Sequence, residues 1–282
     1  MAPLPGTLLR PDAALRYADS GGDGPPVVLS HGAGMDHNAF DPQVPPLIRA
    51  GYRVITWDLR GHGDSLLARP VQFTAADALA DLEALLDELR IGSPVLVGHS
   101  LGGGLSQAFV REHPARAAGL VVLDATWNAG PLTRFESVVL PLAAPLLALI
   151  PASRLPRLMA KASAVTPAAI AATEAVFAAM PTRRFLDVWR ATVSLVDPDP
   201  GYCTPVPLGL IRGEEDATGN IATAMPRWAR AEGVEEHAIP GAGHVVTLDA
   251  PEATTAALLD VLAAMTPTPP TAPAAPAAPT AP

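Results

Sequence analysis

Short apolar runs alternate with longer helix-compatible stretches along most of this chain, and that alternation constrains its fold more than any other feature. Strands are read at 27–30, 54–57, 95–97, 120–123, 208–212 and 235–239. Apolar runs of this length bounded by turn residues read as strands buried on both faces. Parallel strands need crossover helices between them, which the intervening stretches can supply. The pattern predicts an α/β fold, a mostly parallel sheet with helices on both faces. Residues 7–10 and 15–19 add an opening antiparallel pair, for eight strands in all. The clearest crossover helix spans 74–89, where Thr74 can cap the first turn and Leu79, Leu82, Leu86 and Leu89 form one apolar stripe.

The alternation stops between 126 and 201. That stretch contains no convincing strand and reads as several proline-punctuated helices, one beginning at Thr166-Pro167 and another covering about 182–196. The expected organisation is a core at 1–125, a helical cap at 126–201 and the rest of the core at 202–265. From 266 to 282 every residue is Pro, Ala or Thr. With nothing to bury, this tail is expected to be disordered.

Composition removes several classes of function. Hydrophobic residues make up 49% and charged residues 17%, enough apolar material to cover both faces of a sheet. Lys and Arg number 19 against 28 for Asp and Glu, giving a net charge of −9 without any basic run, so no nucleic-acid partner is expected. The longest uncharged stretch outside the tail, 137–153, is broken by Pro141, Pro145 and Pro151 and falls short of a membrane span. The first residues lack the basic and apolar regions of a secretory signal. Cys203 is the only cysteine, so an intramolecular disulfide and a zinc knuckle are excluded; a small buried hydrophobe is its expected role and the cytoplasm the expected compartment.

Chemistry concentrates in a few places. The run Val95-Leu-Val is followed by Gly98-His-Ser-Leu-Gly102 and then a helix-compatible stretch, the context of a nucleophile elbow around Ser100. A serine hydroxyl needs a base, itself oriented by a carboxylate, in the chain order serine, acid, histidine. His244 lies in a glycine-rich loop after the last strand, whereas His113 and His237 suit ordinary helix-end and strand-edge positions. For the acid, Asp216 follows the 208–212 strand; Asp124 also ends a strand and is its rival, with Glu214 and Glu215 behind.

On these residues the chain, from about 7 to 265, resembles the α/β-hydrolase fold family. Ser30-His31-Gly32-Ala33 is similar to the family's H-G-x oxyanion turn and 58–65 to its D-x-x-G-x-G-x-S loop. Gly98 to Gly102 matches the elbow, and Gly213 to Asp216 with Gly243-His244 match the acid and base segments. The resemblance implies oxyanion donors at the backbone amides of Leu101 and Ala33, supported by His31, Gly32, Gly98, His99 and Gly102. It implies no metal and no cofactor. Dehalogenases and epoxide hydrolases of this fold carry aspartate at the elbow, so Ser100 argues against both. Within the family, 29–44 and 57–65 look similar to the branch of 3-oxoadipate enol-lactonases, esterases and cofactor-free haloperoxidases.

The expected activity is hydrolysis of a small to medium, largely apolar carboxylic ester or lactone through an acyl-enzyme on Ser100. Carbon–carbon bond hydrolysis or perhydrolysis on the same residues is the alternative, and a ligand-sensing module is a third. An enol-lactonase would place cations around its substrate, and Arg134, Arg154, Arg157, Arg183, Arg184 and Arg190 lie in the cap, where solvated helix faces are the simpler reading. Trp127, Phe135, Phe177 and Trp189 are the expected pocket residues, Trp127 first among them, with Phe185 beside them.

Overall fold

Each central strand sends alternate side chains into two separate apolar layers, as a period of two requires. The computed structural model describes residues 4–265, so the 266–282 tail lies outside the described residues. Strands β1 (Gly6–Arg10) and β2 (Ala13–Asp19) form the antiparallel opening pair. β3 (Pro26–Ser30) leads to α1 (Val44–Arg49) and β4 (Arg53–Trp57). In β3, Val28 enters one layer while Val27 and Leu29 enter the other.

A two-residue strand, β5 (Leu66–Leu67), pairs antiparallel with Ala13 and Ala14 and brings the sheet to nine strands rather than the expected eight. Two residues are too short to carry a periodic signal; the pairing is made only because the loop after β4 returns alongside the start of β2.

Crossover helix α2 (Ala75–Glu88) is capped by Thr74, whose hydroxyl accepts the N–H of Asp77. It buries Ala78, Leu82, Leu85 and Leu86, leaving Leu79 and Leu89 at the margin. Next come β6 (Val95–His99), α3 (Leu101–Glu112) and β7 (Gly119–Leu123). The chain then makes α4 (Arg134–Val139), α5 (Ala143–Leu147), α6 (Leu155–Ser163), α7 (Pro167–Ala179) and α8 (Thr182–Ser194), with no strand among the described residues of that stretch. α7 starts at the Thr166-Pro167 signal, the Thr166 hydroxyl accepting the N–H of Ala169.

The chain rejoins the sheet at β8 (Leu208–Gly213), directly beside β7, and closes with α9 (Ile221–Glu232), β9 (Glu236–Ile239), α10 (Val246–Asp249) and α11 (Pro251–Met265). Cys203 is exposed, contrary to the burial expected of it, because it lies in the irregular loop before β8 and not in an element. Among the described residues no helix is long and apolar enough to cross a membrane.

The main path of the sheet runs β1-β2-β4-β3-β6-β7-β8-β9, parallel from β4 onward. From β3 the chain goes first to β4 on one side and later to β6 on the other, so the order reverses between β3 and β6. In open α/β sheets ligands bind outside the carboxyl ends of strands at such a switch point. Ser30 and His99 end those two strands, which places Ser100 and the 31–34 turn in the crevice.

Candidate active site

Ser100 joins β6 to α3 at φ +52°, ψ −115°, a conformation that non-glycine residues adopt at a cost of about 1–3 kcal/mol. It is held there from both sides. Its N–H donates to the Leu123 carbonyl at 2.9 Å, and its carbonyl accepts the N–H of Gly104 at 2.9 Å. The flanking glycines leave no room for a side chain: a Cβ at Gly98 would stand 2.3 Å from the Gly102 carbonyl oxygen, and one at Gly102 2.1 Å from that of Ser30.

The residues selected in the sequence come together at this turn. Ser100 Oγ lies 3.0 Å from His244 Nε2, and His244 Nδ1 lies 3.0 Å from Asp216 Oδ2. Asp216 is further held by the Thr218 N–H, which donates to Oδ1 at 2.8 Å. Burial pushes the Asp216 carboxyl up, but the His244 charge and the hydrogen bonds from His244 and Thr218 outweigh it and leave its pKa below the usual range. Asp216 is thus the ionised partner that His244 needs to hold its proton on Nδ1.

The rival acid occupies a different role. Asp124 is fully buried at φ +42°, and its Oδ1 accepts the Gly213 N–H at 2.8 Å. Burial, reinforced by the neighbouring Asp216 charge, raises its pKa well above the ordinary value. Two adjacent carboxyls cannot both ionise in a dry site, so Asp124 stays neutral beside an ionised Asp216. Glu214 and Glu215 are exposed. His113 follows α3 against Phe109, and His237 lies in β9.

The 31–34 turn is anchored from below. His31 Nε2 accepts the Leu59 N–H at 3.0 Å, which leaves the proton on Nδ1 to donate to the Gly32 carbonyl at 2.9 Å. The His31 carbonyl in turn accepts the Gly102 N–H at 3.2 Å, tying the turn to the elbow. Gly32 packs tightly on His99 and Ser100. Leu101 is the first residue of α3, where an N–H has no intrahelical acceptor. His99 donates from Nε2 to the His244 carbonyl at 2.7 Å and is tilted against the His244 ring at 5.0 Å. Burial and the nearby His244 lower its pKa to about 3, so it is neutral and locks the elbow to the base loop.

Two carboxylates brace these turns: Asp58, which opens the D-x-x-G-x-G-x-S motif, and Asp249, which went unread in the sequence. Asp249 accepts the N–H groups of Gly243, Val165 and Thr166 at 2.8–3.0 Å, fixing the residue before His244 to the start of α7. Asp58, in the 58–65 loop, accepts the His37 N–H at 2.7 Å and that of Asp64 at 2.8 Å, holding the turn after β3 to the loop after β4. No spacing rule marks Asp249, because it joins segments distant in sequence.

Ser100 opens on a cavity of about 190 Å³ whose lining carries no charged residue. The six arginines of 126–201 named above are absent from that lining and from the smaller space on the His244 side. Arg183 and Arg184 face a separate open cleft with Arg69, and Arg190 pairs with Asp187 at 2.9 Å. Of the expected pocket aromatics, Trp189 and Phe177 line the spaces at Ser100. Trp127 and Phe135 do not. Trp127 stacks flat on Trp228 of α9 at 5.9 Å, a partner that buries its face in the core. Phe135 is 75% exposed on the outer surface of α4. The uncharged lining comes mostly from small and branched residues such as Ala125, Val139, Ala143, Val193 and Ile221.

An arrangement of this kind can abstract a proton from a hydroxyl, hold the resulting imidazolium and offer backbone donors to an oxyanion. Comparison with known proteins points to the same family. A non-heme chloroperoxidase of Streptomyces lividans is 39% identical over 105 residues, 36% of this chain and 37% of that protein. The chain matches about two fifths of the length of its curated relatives. Among solved structures, an esterase from Thermogutta terrifontis is 26% identical with a TM-score of 0.71, covering 90% of this chain and 94% of that one. The enol-lactonase of Burkholderia xenovorans LB400 shares the fold, with a TM-score of 0.75 at 21% identity over 91% and 99% of the two chains. The model of the alpha/beta hydrolase family matches residues 27–258, and the chain belongs to that family.

Proposed function

We propose that this protein is a serine hydrolase that cleaves a small to medium, largely apolar carboxylic ester or lactone through an acyl-enzyme on Ser100. The observation that carries this reading is the Ser100–His244–Asp216 hydrogen-bonded chain, 3.0 Å at each link, opening on an uncharged cavity. His244 takes the Ser100 proton as Oγ bonds to the carbonyl carbon, and the amides of Ala33 and Leu101 receive the oxyanion. The carbon–oxygen bond to the alcohol half then breaks, and His244 returns the proton to the departing oxygen. Water repeats the sequence on the acyl-enzyme: His244 deprotonates it, the carboxylic acid leaves, and Ser100 regains its proton. Asp216 remains ionised throughout and stabilises the imidazolium. One preorganised amide donor is worth about 3 kcal/mol in such a transition state. The helices of 126–201 act as the cap that shapes the cavity over a core made of the segments before and after it.

The test is a panel of nitrophenyl esters of increasing chain length, aliphatic lactones and an enol-lactone, run beside a serine-directed fluorophosphonate label. Ser100→Ala is expected to abolish labelling and to lower kcat by roughly 10⁴- to 10⁶-fold without unfolding the chain. Undiminished hydrolysis by that variant sinks the proposal.

A further inference from the structure

Ser100 stands at the junction of two chambers of unequal size. Ala33, Ser100, Trp189 and Thr218 line both. The larger measures about 190 Å³ and the smaller about 20 Å³. His244 belongs to the wall of the small chamber, with His99, Val245, Met35 and Phe177, and not to the wall of the large one.

The chemistry of an ester decides which half enters which chamber. The departing alcohol oxygen must come within about 2.6–3.2 Å of the group that protonates it. That group is His244 Nε2, so the alcohol half lies on the small-chamber side and the acyl half extends the other way. A cavity of about 10–15 Å³ admits one water, and one of about 150 Å³ accepts benzene. On that scale the small chamber holds an alcohol of one or two carbons and the large one an acyl chain of roughly six.

The partition between the chambers is stiff. Trp189 stacks on Phe185 at 6.1 Å, and Phe185 meets Phe177 edge-on at 5.5 Å. Phe177 and Phe185 both press on the turn at Gly34, one residue from Ala33, so the aromatic file is braced against the oxyanion turn. A longer alcohol cannot be admitted by a simple rotation of one ring.

We propose that the site selects esters joining a medium-length, uncharged acyl chain to a one- or two-carbon alcohol, and that Trp189 is the residue that sets this asymmetry. The inference rests on the hydrolase reading above. A charged acyl terminus would be left unpaired against the uncharged wall of the large chamber, which excludes dicarboxylate half-esters from the same class.

The experiment compares two isomers of equal composition, ethyl hexanoate and hexyl acetate, with the full chain and with Trp189→Ala. The unmutated protein is expected to favour ethyl hexanoate in kcat/KM by about ten- to a hundredfold, as mismatched chain length in a tight pocket does. Trp189→Ala is expected to bring the ratio towards unity by raising turnover of hexyl acetate. Should that variant fail to fold, Trp189→Phe is expected to shift the ratio in the same direction by a smaller factor. Equal or better use of hexyl acetate by the unmutated protein, or an unchanged ratio in the folded variant, overturns the inference. If a fluorophosphonate labels Ser100 and nitrophenyl esters are cleaved while the preference is reversed, this inference alone fails. If Ser100 is unlabelled and no ester is cleaved, the hydrolase reading fails and takes this one with it.

Discussion

The turn at Ser100 is held by main-chain hydrogen bonds and close glycine contacts, whereas the helices between β7 and β8 leave much of their apolar surface in water. The elbow is held by Leu123, His31 and Gly104 through main-chain hydrogen bonds, and its neighbours are fully buried strand residues. On the roof, Phe135, Val138, Leu142, Leu146, Leu149 and Leu158 are all exposed. The contrast separates two kinds of constraint. The chemistry proposed for Ser100 depends on backbone geometry that tolerates no added atom, while the cavity is shaped by helices whose outer faces carry little structural load. Substitutions on those outer faces are expected to leave the site below undisturbed.

Substitutions in the two regions should differ sharply in effect. Asp216→Asn should cost the most, lowering kcat roughly 10⁴-fold by removing the charge that fixes the His244 tautomer. Asp124→Asn keeps an acceptor for the Gly213 N–H and should stay within a few-fold of the parent in the same kinetic assay; a larger loss at 124 than at 216 would reverse the assignment of the acid. Gly102→Ala should destabilise by about 3 kcal/mol in urea unfolding, at the upper end for overpacking, since its Cβ meets backbone rather than a movable side chain. A mild effect there would mean that the elbow is softer than its contacts imply.

On the roof, Phe177→Ala should cost about 3 kcal/mol because Phe177 is buried against Phe185. Phe135→Ala should change stability by no more than about 0.5 kcal/mol in the same denaturant series. Similar losses at both positions would erase the distinction between inner and outer roof faces.

The smallest expected effect is a pH dependence. Asp124 is neutral in the folded protein, faced by Asp216, which raises its pKa, and by Arg212, which opposes the shift. Below the ordinary carboxylate value of 3.8 both folded and unfolded chains hold its proton, and burial carries no penalty. As pH rises above that value the unfolded chain releases the proton first, so stability falls until the folded pKa is reached. Asp124→Asn cannot titrate, and its melting temperature relative to the parent should therefore climb from acid to neutral pH. A difference independent of pH would show that Asp124 is ionised in the fold.

Much of this was legible in the chain itself. Apolar runs mark β3, β4, β6, β7 and β8 because strands buried on both faces are mostly apolar, and Thr74 and Thr166 mark helix starts because orphan N–H groups need a cap. Ser100, His244 and Asp216 were readable because each follows a strand in a fixed order. Periodicity and motif spacing are local, so they could not show that Leu66 and Leu67 rejoin the sheet, that Cys203 lies outside any element, or that Asp249 secures the base loop.

Short-range patterns alone marked the family, the parallel strands and the residues around the elbow, since those depend on local runs and on glycines that admit no substitute. What covers Ser100 is settled by long-range packing instead. Trp127 lies just after β7 yet turns to Trp228, and Trp189, far along the chain, stands between the two chambers. Which aromatic meets the substrate depends on which helix packs against which, and long-range packing leaves no trace in the residues on either side of a tryptophan.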